Sequence, residues 1–377
     1  MLRSGRICVL VLSCLFAVAC KGPEDDTVSD SAPAVWQLAD EAEIEMGAGD
    51  DGFVYVTSAV RLATGLVVAD AGAAEVRWYD AAGGLVRTAG RRGSGPGEFV
   101  HLASVVALSG DSVAAWDASL SRLSVFDADG RFVRSVAVPG AKGVLSSVAG
   151  RLADGTLVLS VPLGRDGRGA RRWRDSTFVI RVDAATGAVD TVARLAGMEF
   201  YAQPGTDRLI RIAAVPLGRA AVVAVGDEAI FAGSADTYEI VRYAPDGAVE
   251  DRVSHPHRPV TLRDADRDAF LGNLLESTDD AERVREIRDT PFPETLPPYT
   301  GIAAGPDGML WVREPALPSA PDQSSRWSVF DADGRWIAAV TGPPRVKTLQ
   351  VGSDWMLVDA VAEDDTERVR VYRIIRP

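Results

Sequence analysis

The chain has 377 residues, 47% hydrophobic and 25% charged, so it can bury a large core. Its formal charge of −13 repels nucleic-acid backbones and anionic lipid, which excludes nucleic acid as a partner. The cysteines, Cys8, Cys14 and Cys20, all fall in the first twenty residues, so the rest of the chain holds no disulfide, thiolate nucleophile or Cys-ligated zinc.

The chain opens with MLRSGRICVLVLSCLFAVAC, in which Arg3 and Arg6 precede an apolar run from Ile7 to Val18 and small residues stand before Cys20. That order is an export signal, and the run is too short to span a bilayer as a helix. Ala17-Val18-Ala19-Cys20 resembles the lipobox of bacterial lipoproteins. The resemblance implies a signal peptide over residues 1–19, lipidation of Cys20 and, with Lys21 following, an outer-membrane address for an envelope protein held to the membrane by its lipid alone. A plain secretory signal that ends near a cysteine is the other reading. Residues 20–33, which include KGPEDDTVSDSAP, read as a flexible acidic tether.

From residue 34 onward one pattern recurs. The heptad VFDADGR occurs unchanged at Val125–Arg131 and Val329–Arg335, with degenerate copies WYDAAGGLV at 78–86, VDAATGAV at 182–189 and YAPDGAV at 243–249. Each sets Asp, Ala and Gly between two alternating apolar runs, the signature of a β-hairpin. The full unit is a four-stranded meander, clearest from Ser104 to Val138, and repeated meanders of that length predict propeller blades. In chain order these are Ala59–Ala89, Ser104–Val138, about Ser147–Leu195, Ala220–Val253 and Gly301–Val340. Residues 346–375 supply only three strands of a sixth. Glu43–Met46 supplies the missing outer one, because EIEMGAGDDGF at 43–53 parallels LVRTAGRRGSGPGEF at 85–99. Phe53 then stands 17 residues before Asp70, and Phe99 18 before Asp117. The expectation is an all-β, six-bladed β-propeller over residues 34–377, closed by the N-terminal strand, with a small helical insertion at 258–298 between blades four and five. Seven blades is the competing count.

Strands such as LVVAD, VRWYD and LVRTAG followed by GSGPGEF resemble those of NHL-type six-bladed propellers, whose repeats end in a glycine-rich connector. The resemblance covers nearly all of residues 42–377 and implies a fold; function has to be argued from a site. GRRGSGPGEF, Gly90–Phe99, looks like a phosphate-cradling loop, yet no Gly-Lys-Ser/Thr closes it and it leads into a strand. It reads as the connector between blades, with Phe99 packed between sheets.

With strands A to D counted outward, B–C and D–A connections share one face. The long excursions, 162–176, 196–219, 255–300 and 314–326, all belong to it. Elaborated loops on a rigid scaffold are where binding residues concentrate. In the largest, Thr261 and Asp264 ahead of Ala265, Phe270, Leu271, Leu274 and Leu275 predict a capped amphipathic helix, and Thr278 opens a second that carries Val284 and Ile287. The pair reads as a lid, a partner-docking element or a packed elaboration.

The segment 164–175 groups Arg165, Arg168, Arg171, Arg172 and Arg174 around Trp173, a set that suits a carboxylate, phosphate or sugar acid, or else a solvated hairpin. Asp70, Asp117 and Asp359 each close a B strand. Among related propellers, carboxylates near the channel hold calcium in lactonases and similar hydrolases, so the resemblance implies Asp70, Asp117 and His101 as candidate calcium ligands. The other use of such aspartates is to accept backbone N–H groups. His255 and His257 stand at a spacing two ligands can share, but no third ligand is identifiable. Two functions stay open. One is a lipid-anchored propeller without catalysis or cofactor that binds a protein, glycan or small molecule on its elaborated face. The other is a calcium-dependent hydrolase or lyase acting on a lactone, ester or sugar-derived substrate.

Overall fold

The two copies of VFDADGR fold into the same turn. Gly130 and Gly334 take φ of 68° and 74°, and their N–H groups donate to the carbonyls of Asp127 and Asp331 at 2.9 and 3.0 Å. The carboxylates of those aspartates accept the N–H of Arg131 at 2.8 Å and of Arg335 at 2.9 Å. Left-handed backbone costs glycine little, and the aspartate closes the loop around it, so the heptad makes a hairpin wherever it occurs.

The computed structural model describes residues 32–141, 146–163, 171–204, 210–276, 280–320, 324–362 and 365–377. The leader, Cys20 and the tether as far as residue 31 lie outside the described residues, as do Arg165, Arg168 and Thr278. Pro33–Pro377 is one compact unit. No helix among the described residues is long and apolar enough to cross a membrane.

Two strands come first, β1 (Ala34–Leu38) and β2 (Ile44–Met46). An antiparallel meander follows, of β3 (Val56–Arg61), β4 (Gly65–Asp70), β5 (Glu75–Asp80) and β6 (Leu85–Ala89). The next is β7 (Leu102–Ala107), β8 (Val113–Asp117), β9 (Arg122–Phe126) and β10 (Phe132–Ala137). A five-stranded sheet contains β11 (Ser147–Arg151), β12 (Leu157–Pro162), β13 (Arg172–Val182), β14 (Val189–Pro204) and β15 (Ile210–Ala214). Then come β16 (Val222–Val225), β17 (Ile230–Gly233), β18 (Glu239–Tyr243) and β19 (Val249–Ser254), followed by two helices, α1 (Asp264–Glu276) and α2 (Ala281–Arg288). The chain ends with β20 (Gly301–Ala304), β21 (Leu310–Arg313), β22 (Ser324–Phe330) and β23 (Trp336–Pro344), then β24 (Val346–Val351), β25 (Trp355–Val361) and β26 (Glu367–Ile375).

β2 pairs antiparallel with β26, from Ile44 opposite Val371 to Met46 opposite Val369, so the N-terminal strand completes the last meander. β1 was not expected. It runs parallel to β23, Ala34 opposite Ala338, and also meets β26 at Gln37 and Leu38. Its alternation puts Trp36 and Leu38 against Trp311 and Trp327, and it covers the outer edge that β23 would expose.

The innermost strands β3, β7, β11, β16, β20 and β24 touch in succession, and β24 touches β3. An innermost strand has no strand on its inner edge, and side chains of its neighbours meet some of its free N–H groups. Ser58 Oγ accepts the N–H of Val105 at 2.7 Å, Ser104 Oγ that of Val148 at 2.9 Å, and Gln350 Oε1 that of Arg61 at 2.7 Å. Apolar clusters fill the space between successive meanders. Phe99, fully buried, packs with Val67 and Trp78 of one meander and Leu102 and Phe126 of the next, while Phe53 packs with Leu66, Val369 and Val371. Burying each ring contributes about 2–3 kcal/mol.

Two expectations are corrected. Residues 172–176 and 196–204, read as loops, extend β13 and β14 into one long hairpin with pairing as far as Arg172 opposite Tyr201, and β15 adds a fifth strand beside it. Alternation through RWRDS, with Asp175 buried, continues the ladder past the length of the other blades. The helix cap also differs. Asp266, not Thr261 or Asp264, turns back to accept the N–H of Arg263 at 2.9 Å. Thr261 instead bridges Thr295, in a stem where Leu262 N donates to Glu294 O and Leu296 N to Val260 O. Leu271 and Ile287 are buried as expected, whereas Ala265 is exposed.

Gly90 tests the connector. Its φ is +100°, and a Cβ there would sit 2.7 Å from Phe99 Cε2 and 2.9 Å from the Ala74 carbonyl. Gly90→Ala is expected to cost roughly 2–4 kcal/mol in urea unfolding. Gly110 has φ +65° with nothing within 4 Å. Gly110→Ala should cost only about 1 kcal/mol.

Candidate functional site

A phosphate loop turns its N–H groups inward; GRRGSGPGEF does the reverse. The carbonyls of Ser94, Gly95 and Glu98 converge on the Arg122 guanidinium at 3.0, 2.9 and 2.8 Å. The N–H of Gly95 donates to Glu98 Oε2 at 2.8 Å, and that bond, with Arg91 beside it, holds the Glu98 carboxyl below its ordinary value. Phe99 N donates to Arg91 O at 2.9 Å. The connector is internally satisfied and offers no anion cradle.

Asp70 and Asp117 are fully buried. Asp70 accepts the N–H groups of Val54, Tyr55 and Ala73 at 3.1, 3.0 and 3.2 Å and ion-pairs with Arg77 at 3.0 Å. Asp117 accepts those of Val100, His101 and Leu120 at 2.6, 3.2 and 2.8 Å. The two residues after Phe53 and the two after Phe99 are thus held by equivalent carboxylates, so the matched spacings in the sequence are one repeated staple. These oxygens point at donors, a poor fit for calcium, and no three His, Cys, Asp or Glu side chains converge on a metal position among the described residues. His101 meets Asp117 through its backbone and is not brought to a shared site with Asp70.

Arg172 contacts Glu199 at 3.4 Å, and Arg219 reaches the same carboxylate at 3.5 Å. Arg174 is bound to Asp236 and to the carbonyls of Gly197 and Ala196 at 2.9 and 3.1 Å. Trp173 stacks on Phe200 with centroids 5.9 Å apart, and Arg171 is exposed. Of this arginine group, Arg172 and Arg174 fasten the long hairpin to its surroundings. His255 sits among rings, 4.7 Å from Trp336, 5.3 Å from Tyr238 and 5.8 Å from Phe330, and burial lowers its pKa. His257 lies 6.2 Å from Tyr238 with Nε2 buried and unbonded. His255 packs against Phe330 of β22 and Trp336 of β23, and both histidines meet Tyr238 just before β18.

The elaborated face also holds a cleft of about 590 Å³. One wall is Glu314 to Leu317 with Ala320 and the start of β22 at Ser324 to Arg326, another the stem of the helical insertion at Val260, Leu296 and Pro297, and a third Leu217 and Gly218 beyond β15. The insertion is anchored there: Ser319 Oγ donates to the buried Asp266, Arg211 pairs with Glu286 at 2.7 Å, and Arg172 reaches the Phe292 carbonyl at 3.4 Å. Arg313 lines both this cleft and a smaller cavity of about 170 Å³ that Lys347 and Thr348 share. Sequence reasoning passed over Arg313. The signal was its position, since it ends a B strand where the first two blades have Asp70 and Asp117.

Asp359, the third aspartate, is not stapled like the others. Burial, with Glu367 nearby, pushes its carboxyl up to about 6, while Lys347 pulls it the other way. Glu367 takes the staple role, accepting the N–H of Val56 at the start of β3, and Lys347 Nζ donates to Thr57 O at 3.3 Å.

No family model matches the chain, and no curated protein matches it in sequence. Solved structures do. A Bacteroides fragilis NCTC 9343 protein inferred to be exported aligns over 91% of this chain and 96% of its own, at 12% identity and a TM-score of 0.51. A member of the DUF4221 family from Bacteroides vulgatus ATCC 8482 aligns over 92% of this chain and 100% of its own, at 9% identity and a TM-score of 0.51. At such identities the likeness shows the fold alone, which is β-propeller-like.

Two substitutions probe these carboxylates. Asp117→Ala strands three N–H groups and is expected to cost about 3 kcal/mol or more in urea unfolding. Asp359 holds its proton more tightly folded than unfolded, so its contribution falls as pH rises from about 4 to about 6. Asp359→Asn should therefore raise the thermal midpoint above pH 6, with the gain over wild type shrinking to nothing near pH 4. A gain independent of pH would contradict the assignment.

Proposed function

We propose that this chain is an exported, six-bladed β-propeller, lipid-anchored at Cys20 in the outer membrane, that binds a ligand in the cleft of its elaborated face without acting on it chemically. The carrying observation is the cleft itself, whose walls come from a B–C loop, a D–A connection and the insertion stem that is bound to them. The closed succession of innermost strands and the completion of the last meander by β2 support six blades. The likeness to a protein inferred to be exported supports the address, as does the leader. A calcium-dependent hydrolase gains no support from Asp70 and Asp117, whose oxygens are occupied by backbone donors.

Ala316 is exposed at the cleft, so Ala316→Trp obstructs it without entering the core. In a thermal-shift screen of neutral and charged metabolites, compounds that stabilise wild type are expected to lose their effect on Ala316→Trp. Binding that raises the wild-type midpoint does so by mass action, about 2.7 kcal/mol at a hundredfold excess over Kd. Compounds that shift both proteins equally would place the site elsewhere. For the anchor, Cys20→Ser is expected to abolish incorporation of radiolabelled palmitate and to release the chain from the membrane fraction; retained label would overturn the lipidation.

A further inference from the structure

Arg313 stands opposite Gly301, the first residue of β20, as Asp70 stands opposite Val56 and Asp117 opposite Leu102. The repeat places one residue here, at the end of the B strand and beside the entry of the innermost strand. In the first two meanders it is a carboxylate consumed by backbone N–H groups. In this one it is a guanidinium of opposite charge, and among the described residues it has no hydrogen bond or ion pair. Burial alone lowers the Arg313 pKa, with no carboxylate to offset it. The guanidinium of Arg313, a residue that lines both cavities, is costly to leave unpaired, and its fork of five donors is geometrically matched to a carboxylate.

The neighbouring charges are committed elsewhere. Arg345 pairs with Asp365 at 3.5 Å, Lys347 donates to Thr57 O at 3.3 Å, and Glu314 accepts from Ser328 Oγ at 2.8 Å. Arg326 also has a partner. Arg313 is thus the cation of the cleft whose guanidinium has no partner among the described residues, and with the Glu314 carboxylate in the same lining the site suits a monoanion better than a phosphate dianion. Around it the cleft is mostly apolar, with Leu217, Val260, Leu296 and Leu317 on its walls.

We propose that Arg313 receives the carboxylate of a monoanionic organic acid whose apolar body lies along Leu217, Val260, Leu296 and Leu317. This assignment rests on the cleft being the binding site and names the chemical class of its ligand.

The test uses the full chain purified in detergent, with phenylacetate, its neutral counterpart phenylacetamide, and inorganic phosphate as probes, against wild type, Arg313→Gln and Ala316→Trp. Phenylacetate is expected to raise the wild-type midpoint, to bind tenfold or more tighter than the amide by calorimetry, and to lose roughly tenfold to a hundredfold in affinity in Arg313→Gln. The amide should bind Arg313→Gln as it binds wild type, and Ala316→Trp should lose both. Without probes, Arg313→Gln should melt at or above the wild-type midpoint, since it removes an unpaired desolvated charge; a large drop would mean that Arg313 is a structural residue and would overturn the proposal. Equal binding of acid and amide, unchanged acid affinity in Arg313→Gln, or tighter binding of phosphate would each overturn it while leaving the cleft as a binding site. The same holds if phenylacetate fails but neutral compounds stabilise wild type and not Ala316→Trp. If no compound binds in a way that Ala316→Trp blocks, the binding-cleft reading fails together with it.

Discussion

The structure depends on how the innermost strands satisfy backbone groups that no neighbouring strand can reach. A strand at the centre of such a ring has one paired edge and one bare edge, and the connector leading into it arrives with further N–H groups unbonded. Left buried and unpaired, each of these would cost on the order of 1–3 kcal/mol. The chain answers with side chains from the neighbouring strand of the same meander and from adjacent meanders. Asp70 and Asp117 hold the two residues that lead into β3 and β7, Glu367 holds the first residue of β3, and Ser58, Ser104 and Gln350 take N–H groups on the strands themselves. The bonds of Glu367, Ser58, Ser104 and Gln350 run between meanders and fix each sheet relative to the next, a task that nondirectional packing of Phe53 and Phe99 does less selectively.

That same requirement decides where chemistry is available. Asp70 and Asp117 are fully buried and each accepts three N–H groups, so the residues the repeat places nearest the axis have little left with which to bind a ligand. The proposed site lies where the repeat departs from its own rule. At Arg313 the residue changes sign, the N–H of Thr300 goes to the Arg313 backbone carbonyl at 2.9 Å, and the loops around it are long enough to build walls. The helical insertion contributes its stem to one of those walls, and its bonds through Asp266, Glu286 and Phe292 make it part of the scaffold around the cleft.

Much of the fold was legible because its signals are local and repeated. The heptad carries its own turn, with glycine at positive φ and an aspartate that closes the loop, and the matched Phe–Asp spacings registered a bond that recurs at atomic detail. The pairing of β2 with β26 followed from counting strands in the last repeat. β1 was missed because AVWQL is a single short alternation with no partner in the repeat; only the bare edge of β23 gives it a place. The extension of β13 and β14 was read as loop because five arginines around Trp173 suggested a solvated tip, whereas Glu199 and Asp236 neutralise two of them and let the ladder run on. Arg313 was invisible for a different reason. Comparing blades for what they share brings out the aspartates, and the informative residue is the one that differs.

Net charge and site charge point in opposite directions. At −13 the surface repels an approaching anion over the roughly 8 Å that charges reach at physiological ionic strength, so long-range steering works against a carboxylate ligand. The proposed recognition then works by contact, where a partly desolvated guanidinium acts at short range and is screened far less by salt than the surface field is. An acidic exterior also rejects dianions more strongly than monoanions, and apolar walls favour acids with an organic body over inorganic ones. Under the proposed assignment, selectivity needs no conformational change: it rests on the unpaired Arg313 guanidinium inside a mostly apolar cleft of an acidic protein.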